Sequence, residues 1–367
     1  MTLTPFVSHP EITIIVPVYN VSEYLVDCLY SIQAQSYENF EVLVINDEST
    51  DNSAEICQSF AKQDHRFKYF SVSHRGLSEI RNFGLKRARG RYISFIDSDD
   101  KVSPHFLDIM HNVIENEHSD IVVCQVKKFI HGTSVVFTKT EKVRKSLVTN
   151  SFTFFQASLF LNTSDQTLLY QGAIVTNKLY KREIVEGVDF KTTLGAEDEI
   201  FLYDIISRVK KVVYLDSKLL YYRVRYNSLS HNLEFPLNHL GSRFSLLVRC
   251  HNLELEKMLR TAIVQKTLDV FLLFITSKEI TSKEYKRLYP FLKLSLYWKD
   301  TINLEMLNPN IRRGLLKRLI VLLSKMGKLK QEYFCFFSFG RKVLLLPQMY
   351  LLYRKLRSIR PNLIRRT

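Results

Sequence analysis

Ile12-Thr-Ile-Ile-Val-Pro-Val18 is an almost unbroken run of apolar and β-branched side chains, the pattern of a buried strand. The period then changes. From Ser22, read as a cap, to Gln35, the apolar positions Leu25, Cys28, Leu29 and Ile32 recur at helical spacing on one face. The alternation continues. A strand is expected over Phe40–Ile45, a helix over Asn52–Lys62 capped by Asp51, and a strand over Phe67–Val72. Next come a helix over Leu77–Ala88, a strand over Tyr92–Ile96, a helix opened by Ser103-Pro104 and a strand over Asp120–Val126. Repeated strand–helix alternation implies an α/β fold, a mostly parallel sheet flanked by helices on both faces. Such sheets bind ligands beyond the carboxyl ends of their strands, so polar residues there carry the most information.

The stretch from Phe129 to Asn232 is mixed. It predicts a hairpin around Gly132, a helix from Ser151, a strand near Ala173, and strands over Val212–Leu215 and Leu219–Val224. Beyond Asn232 helical patterns dominate, which places a domain boundary there: 1–232 as the α/β domain and 233–367 as a helical, basic extension.

The net charge of +15 is concentrated in that extension. From Ile311 to Thr367 there are 15 Lys/Arg and one acid, Glu332, so the rest of the chain is nearly neutral. A neutral body with a basic end implies a local anionic partner, with nucleic acid and anionic lipid as the two candidates. On a helix, Leu315, Leu319, Leu322, Leu323 and Met326 would share one side and Arg313, Lys317, Arg318 and Lys325 the other, the profile of an interfacial helix. The plain alternative is an amphipathic helix packed on the α/β domain. No window approaches the roughly 18 apolar residues of a membrane span, and residues 1–10 do not read as a signal peptide. The expected location is cytoplasmic, peripheral on the inner face of the cell membrane. The five cysteines are scattered, with no C-x-x-C pair, and read as small buried hydrophobes.

Three acidic clusters stand where chemistry would need them. Asn46-Asp47-Glu48-Ser49-Thr50-Asp51 follows the second strand, and Asp97-Ser98-Asp99-Asp100 follows the fourth. Three carboxylates in four residues repel one another unless a cation or proton intervenes, and hard oxygen ligands suit Mg²⁺ or Mn²⁺. The competing reading is a turn ahead of the Ser103-Pro104 helix. Glu197-Asp198-Glu199 opens another helix, where acids are also common for dipole reasons alone.

Taken in order, these segments resemble glycosyltransferase family 2, the inverting enzymes of the GT-A fold. The resemblance spans about Glu11 to Asn232. It is carried by Val16-Pro-Val-Tyr-Asn20, Asn46-Asp-Glu-Ser-Thr-Asp51, Gly76-Leu-Ser-Glu-Ile-Arg-Asn82, Gly90-Arg-Tyr-Ile-Ser-Phe-Ile-Asp-Ser-Asp-Asp100 and Glu197-Asp198. It implies that Pro17, Tyr19 and Asn20 border the nucleotide and that Asp47 hydrogen-bonds the base. Arg81 would lie near the nucleotide and diphosphate, with Asp97 facing the ribose. Asp99 and Asp100 would hold the metal, and Asp198 would be the general base. Arg223, in Tyr221-Tyr-Arg-Val-Arg225, falls where related enzymes cover the diphosphate; an exposed arginine at a strand end is the alternative.

The implied activity is metal-dependent, inverting, non-processive transfer of a hexosyl or N-acetylhexosaminyl group from a nucleotide-diphosphate sugar. The expected donor is UDP-linked, the acceptor a glycan or polyprenyl-linked hydroxyl, and the setting cell-surface polysaccharide synthesis. The partner for the basic region is then an anionic membrane surface, with no nucleic acid expected. The rivals are a non-catalytic scaffold of the same fold, and a nucleotidyltransferase, which would not need Asp198. One departure stands out: the family usually has Asp-Asp-Gly-Ser where this chain has Asn46-Asp47-Glu48-Ser49. Losing that glycine removes easy access to positive φ and predicts an altered base pocket.

Overall fold

The apolar run at the start forms β1 (Ile12–Val18), with every residue buried. In the computed structural model, the described residues are 9–132, 135, 146–150, 174–192, 196–225, 234–277, 288 and 291. The chain divides into two compact units, Met1–Leu161 with Asp165–Asn232, and Asn162–Ser164 with Leu233–Thr367.

In the first unit β1 is followed by α1 (Ser22–Gln33), β2 (Phe40–Asp47), α2 (Ser53–Gln63), β3 (Phe67–Val72), α3 (Leu77–Leu85) and β4 (Tyr92–Phe95). Then come β5 (Lys101–Val102), α4 (Phe106–Asn116), β6 (Ile121–Ile130), β7 (Ser146–Thr149), β8 (Lys178–Lys181), the short α5 (Arg182–Val185), α6 (Glu197–Ile205) and β9 (Val212–Val224). The described strands make one sheet of order β3-β2-β1-β4-β8-β6-β9-β5, with β7 also on β9. β1 is parallel to β2 and β4, β2 to β3, and β6 to β9, whereas β8 runs antiparallel between β4 and β6. The sheet is therefore mostly parallel.

Alternation along the strands divides the core between two faces. Ile12, Ile14, Val16, Val42 and Val44 pack with α1, α2 and α4, whose Leu25, Cys57, Phe106 and Met110 are buried. Ile15, Leu43, Ile45, Ile93 and Phe95 face the other way, toward Ile80 of α3 and Phe201, Leu202 and Ile205 of α6. Gly84 lets α3 approach this face closely, since a Cβ there would lie 2.6 Å from Ile15 Cγ2.

Several boundaries differ from expectation. Ser22 is the first residue of α1 and makes no side-chain cap; Val21 stands at the cap position, and Asp51 Oδ2 accepts from Ser22 N–H at 2.9 Å. Asp51 Oδ1 also accepts from Ser53 N–H at 3.0 Å, so one carboxylate serves the starts of α1 and α2. α4 begins at Phe106, not at Ser103-Pro104, and Gln35 Oε1 accepts its Leu107 N–H at 2.9 Å. Gln35, expected as the last residue of α1, lies beyond its end. The two strands expected near the end of the unit are one strand, β9, whose Asp216-Ser217-Lys218 sits opposite an irregularity in β6. Its first half pairs with β7 and its second with β5, a strand not foreseen.

The predicted hairpin lies largely outside the described residues, and the helix from Ser151 and the amphipathic segment from Ile311 lie wholly outside them; Ala173 is also outside, and residues 174–177 just after it form a turn, with the strand beginning only at Lys178. The described part of the second unit contains α7 (Glu234–Arg249) and α8 (Leu253–Ser277). Asn252 Oδ1 accepts from Glu254 and Leu255 N–H at the start of α8. No helix among the described residues is long and apolar enough to cross a membrane.

Candidate active site

The parallel strands deliver their polar ends to one rim. Pro17, which has no N–H to donate, is buried just past the last β1–β4 pair, Ile15 with Phe95. The chain turns at Asn20 (φ 47°), whose Oδ1 accepts from Thr50 N–H at 2.7 Å while its own N–H donates to Ser49 Oγ at 3.0 Å. This ties the end of β1 to the end of β2. Tyr19 is about half exposed and meets the His74 ring at 4.5 Å between centroids.

Asp47, at the end of β2, is buried. Its Oδ1 accepts from Arg75 N–H at 2.8 Å and its Oδ2 from Gly76 N–H at 2.9 Å. Gly76 has φ +86°, and α3 starts at the next residue. Glu48 adopts φ 60° in place of the family's glycine, and its carboxylate accepts from His74 N–H at 2.9 Å. The turn survives without glycine, at a backbone cost on the order of 1–2 kcal/mol. Asp47 and Glu48 thus secure three successive amides of the loop that carries α3.

That helix presents Arg81, only 1 % exposed. Its Nη1 donates to Asp198 Oδ1 at 2.7 Å and its Nη2 to Asp97 Oδ1 at 3.0 Å, and Glu197 Oε1 lies 3.6 Å from Nη1. Its guanidinium also lies over the Phe190 ring, 5.3 Å from the centroid. Desolvation opposes the charge, but Asp198, Asp97 and Glu197 outweigh it and hold Arg81 protonated. Asp198, in the first turn of α6, accepts a second bond on Oδ2 from Val175 N–H at 3.0 Å. Burial pushes its carboxyl up to about 6; Arg81 and the Val175 amide oppose this, while Glu197 and Asp97 add to it. The side chain keeps 19 % of its surface open, so a reactant can still reach it.

Beside it lie the remaining acids. Asp99 and Asp100 are both driven up, first by burial and then by the neighbouring carboxylates. Asp100 Oδ1 accepts from Arg223 N–H at 2.9 Å, whereas its Oδ2 is buried without a hydrogen-bond partner among the described residues. A buried carboxylate oxygen with no partner, next to a second acid, fits a hard divalent cation. Asp97, Asp99 and Asp100 do not close into a three-ligand cage. The one such group among the described residues is Glu11, His111 and Glu115, where Arg91 Nη1 contacts both glutamates at 3.3 and 2.7 Å and already supplies the positive charge.

Arg223 is not an exposed arginine. It is buried, and donates to the Asp99 carbonyl at 2.7 Å and to Asp27 Oδ2 at 3.0 Å, with its guanidinium over the Tyr24 and Phe129 rings. The arginine that meets the Asp99 carboxylate is Arg225, Nη2 to Oδ2 at 2.6 Å.

Strand-end acids and a helix-borne aspartate, two of them joined by a buried arginine, are set on a mostly parallel sheet. Residues 13–188 match the family model for glycosyl transferase family 2. An uncharacterized glycosyltransferase of Haemophilus influenzae is 32 % identical over 227 residues, 61 % of this chain and 83 % of that protein. The chain belongs to glycosyltransferase family 2.

Glycosyltransferase GlyA of Streptococcus pneumoniae is 35 % identical over 228 residues, 60 % of this chain but only 31 % of GlyA's own length. The solved structure of TarS residues 1–349 from S. aureus, in complex with UDP-GlcNAc, shares the fold at 18 % identity and a TM-score of 0.62, covering 85 % of this chain and 87 % of that one. Of the residues singled out in the family 2 motifs, Arg81, Asp97 and Asp198 meet directly, and Asp99, Asp100 and Arg223 form a second group. Pro17 and Asp47 stand at the ends of β1 and β2, and Tyr19 and Asn20 belong to the loop that follows β1 and is tied to the end of β2. Asp27, Val175 and Lys178 stand outside the sequence motifs, and Arg225 lies in the Tyr221-Tyr-Arg-Val-Arg225 segment without an assigned role. For Arg225 the cue is its spacing of two from Arg223 at the end of a strand. Lys178 offered none beyond a charged residue at the head of the apolar run Leu179-Tyr180.

Proposed function

We propose that this family 2 protein transfers a hexosyl or N-acetylhexosaminyl group from a UDP-linked sugar to a hydroxyl of a glycan or polyprenyl-linked acceptor, inverting the anomeric centre. The observation that carries this is Asp198: a carboxyl raised to about 6, partly open, with one oxygen on Arg81 and the other on a backbone amide. Such a group is ionised at neutral pH yet more basic than an ordinary aspartate, as a general base requires. Asp198 takes the acceptor's proton as its oxygen attacks the anomeric carbon from the face opposite the leaving diphosphate. Arg81 keeps that carboxylate and Asp97 in register. Pro17, Tyr19 and Asn20 border the nucleotide, Asp47 faces its base, and Asp97 faces the ribose. Arg223 orients the Asp99–Asp100 loop beside the diphosphate. Asp99 and Asp100 would hold Mn²⁺ or Mg²⁺, which when bound stabilises the charge that builds on the leaving diphosphate. The UDP donor is favoured by the shared fold of TarS, whose structure contains UDP-GlcNAc. A nucleotidyltransferase would use metal and nucleotide but leaves Asp198 without a task.

The setting follows from charge. The 15 Lys/Arg against one acid beyond Asn310 would dock the protein on an anionic membrane at the cytoplasmic face, where lipid-linked acceptors of a cell-surface polysaccharide are presented. The test of the catalytic reading is hydrolysis and binding of UDP-GlcNAc, UDP-glucose, UDP-galactose and GDP-mannose with Mn²⁺ or Mg²⁺. Turnover of a UDP-sugar that needs the cation and is lost in Asp99→Ala is the expected result. Undiminished turnover in excess chelator would sink the metal assignment, and release of the donor's sugar with retained configuration would sink the single displacement.

A further inference from the structure

A lysine lies fully buried directly after the turn that holds Asp198. Lys178 opens β8, the antiparallel strand between β4 and β6, and has no exposed surface. Its Nζ donates to the Ile174 carbonyl and, at 2.7 Å, to Asn177 Oδ1. Both acceptors belong to the turn leading into β8, and Val175 N–H, which donates to Asp198 Oδ2, lies between them. The turn is also anchored from outside. Tyr180 OH donates to the Val175 carbonyl at 3.3 Å, Asn177 Nδ2 donates to the Cys124 carbonyl at 2.7 Å, and Ser94 Oγ donates to the Lys178 carbonyl at 3.0 Å.

Burying an ammonium is costly, whereas a leucine or methionine would fill a sheet interior without that cost. What the lysine adds is reach and charge. It spans the turn from Ile174 to Asn177 and brings a positive group to the buried side of the carboxylate. We propose that Lys178 is a positioning residue for Asp198, closing the 174–177 turn so that the Val175 amide holds one carboxylate oxygen while Arg81 holds the other. The inference rests on Asp198 being the base. Asp198 is faced by Arg81 of α3, Asp97 after β4, Glu197 of its own helix, and Lys178 and Tyr180 of β8, and Lys178 is also faced by Cys124 of β6. Burial lowers the Lys178 ammonium to about 7, and Asp198 acts against that shift, so the two charges support each other.

The test uses the full chain with Mn²⁺ and whichever of UDP-GlcNAc, UDP-glucose, UDP-galactose and GDP-mannose it hydrolyses fastest, water standing in for the acceptor. Lys178→Met, Asp198→Asn and the double variant are compared, with UDP and GDP affinity by calorimetry as a check on folding. Lys178→Gln is carried alongside, because its amide still satisfies one acceptor and guards against a Met variant that fails to fold. A misplaced base is expected to lower kcat up to about 10²-fold in Lys178→Met, and less in the Gln variant, with donor KM and nucleotide affinity within about twofold of the parent. The acid limb of the kcat profile should move to higher pH in both, since Asp198 loses a positive neighbour. Lys178→Met should cost nothing further in the Asp198→Asn background, because residues acting through one group are not additive. Parental kcat and acid limb in variants that bind nucleotide normally would overturn the proposal, as would additive losses in the double variant. If Asp198→Asn itself hydrolyses donor at the parental rate, it is the base assignment that fails.

Discussion

Removing Arg81 should destabilise the protein by an amount that depends on pH. The guanidinium is 1 % exposed and joins Asp198 at 2.7 Å to Asp97 at 3.0 Å, so Arg81→Met leaves two acids without their shared cation. Breaking a buried ion pair by deleting one partner costs about 3–5 kcal/mol. The lower end applies here, because the Asp97 side chain is 35 % exposed and water can take over part of its solvation. Asp198 sets the sign. Its folded carboxyl already stands at about 6, above its ordinary 3.8, so the folded protein binds its proton more readily than the unfolded chain and loses stability as pH rises through that range. Arg81 limits the upward shift, and without it the pKa moves higher still. The deficit of the variant is therefore full above its new pKa and shrinks as pH falls toward 6, by up to about 1.4 kcal/mol per pH unit. Urea unfolding followed by circular dichroism, with chelator present, should show about 3 kcal/mol lost at high pH and clearly less at low pH. A deficit below about 1 kcal/mol throughout, or one that is the same at both ends, would refute the picture of Arg81 as the cation that keeps Asp198 ionised.

Asp51→Ala should cost about 2 kcal/mol, one cap each for α1 and α2, read as a lower urea midpoint. Burial opposes the Asp51 charge, but bonds from Ser53 and Ser22 outweigh it and hold the group at about 2, so the penalty is full above the ordinary 3.8 and fades as pH falls to about 2; a pH-independent penalty would contradict this. Truncation after Asn310 should release the protein from anionic vesicles while sparing donor hydrolysis, because basic residues contribute roughly 1 kcal/mol each at such a surface. Co-sedimentation at low and high salt checks it, and a full-length protein that ignores vesicles but binds nucleic acid tightly would reverse the assignment.

The first four strands could be read to within two residues, because their patterns are local: β1 is buried along its whole length and the helices between carry one apolar face each. The helix starts fall nearly as close, but their caps are not local, because the partners come from elsewhere in the chain. Ser22 and Ser103 are good local candidates for caps, yet the starts of α1 and α4 are served by Asp51 and Gln35, 29 and 72 residues away from the amides they bind. A cap supplied across the fold leaves no trace in the neighbouring sequence. The division of β9 into two expected strands has a different cause. Asp216 and Lys218 are exposed where β6 is irregular, and a polar break at an irregularity looks the same as a turn.

The site shows the same contrast. Asp47, Asp97, Asp99 and Asp100 could be found because they stand at the ends of apolar strands, whereas Asp198, in the first turn of a helix, stands out only through the resemblance to the family. What each acid does depends on which cation reaches it, and that depends on strand register. Arg223, on β9, and Arg225, just past its end, are two residues apart and read alike, but the first is buried against the Asp99 carbonyl and Asp27 while the second meets the Asp99 carboxylate. Glu48 shows the limit of arguing from a missing glycine. Positive φ is harder to reach without one, yet Glu48 adopts φ 60° and its carboxylate accepts from His74 N–H. A glycine there would relax the backbone but could not make that bond. The strain and the hydrogen bond belong together, since the conformation that costs energy is the one from which this side chain holds the loop leading to Arg81.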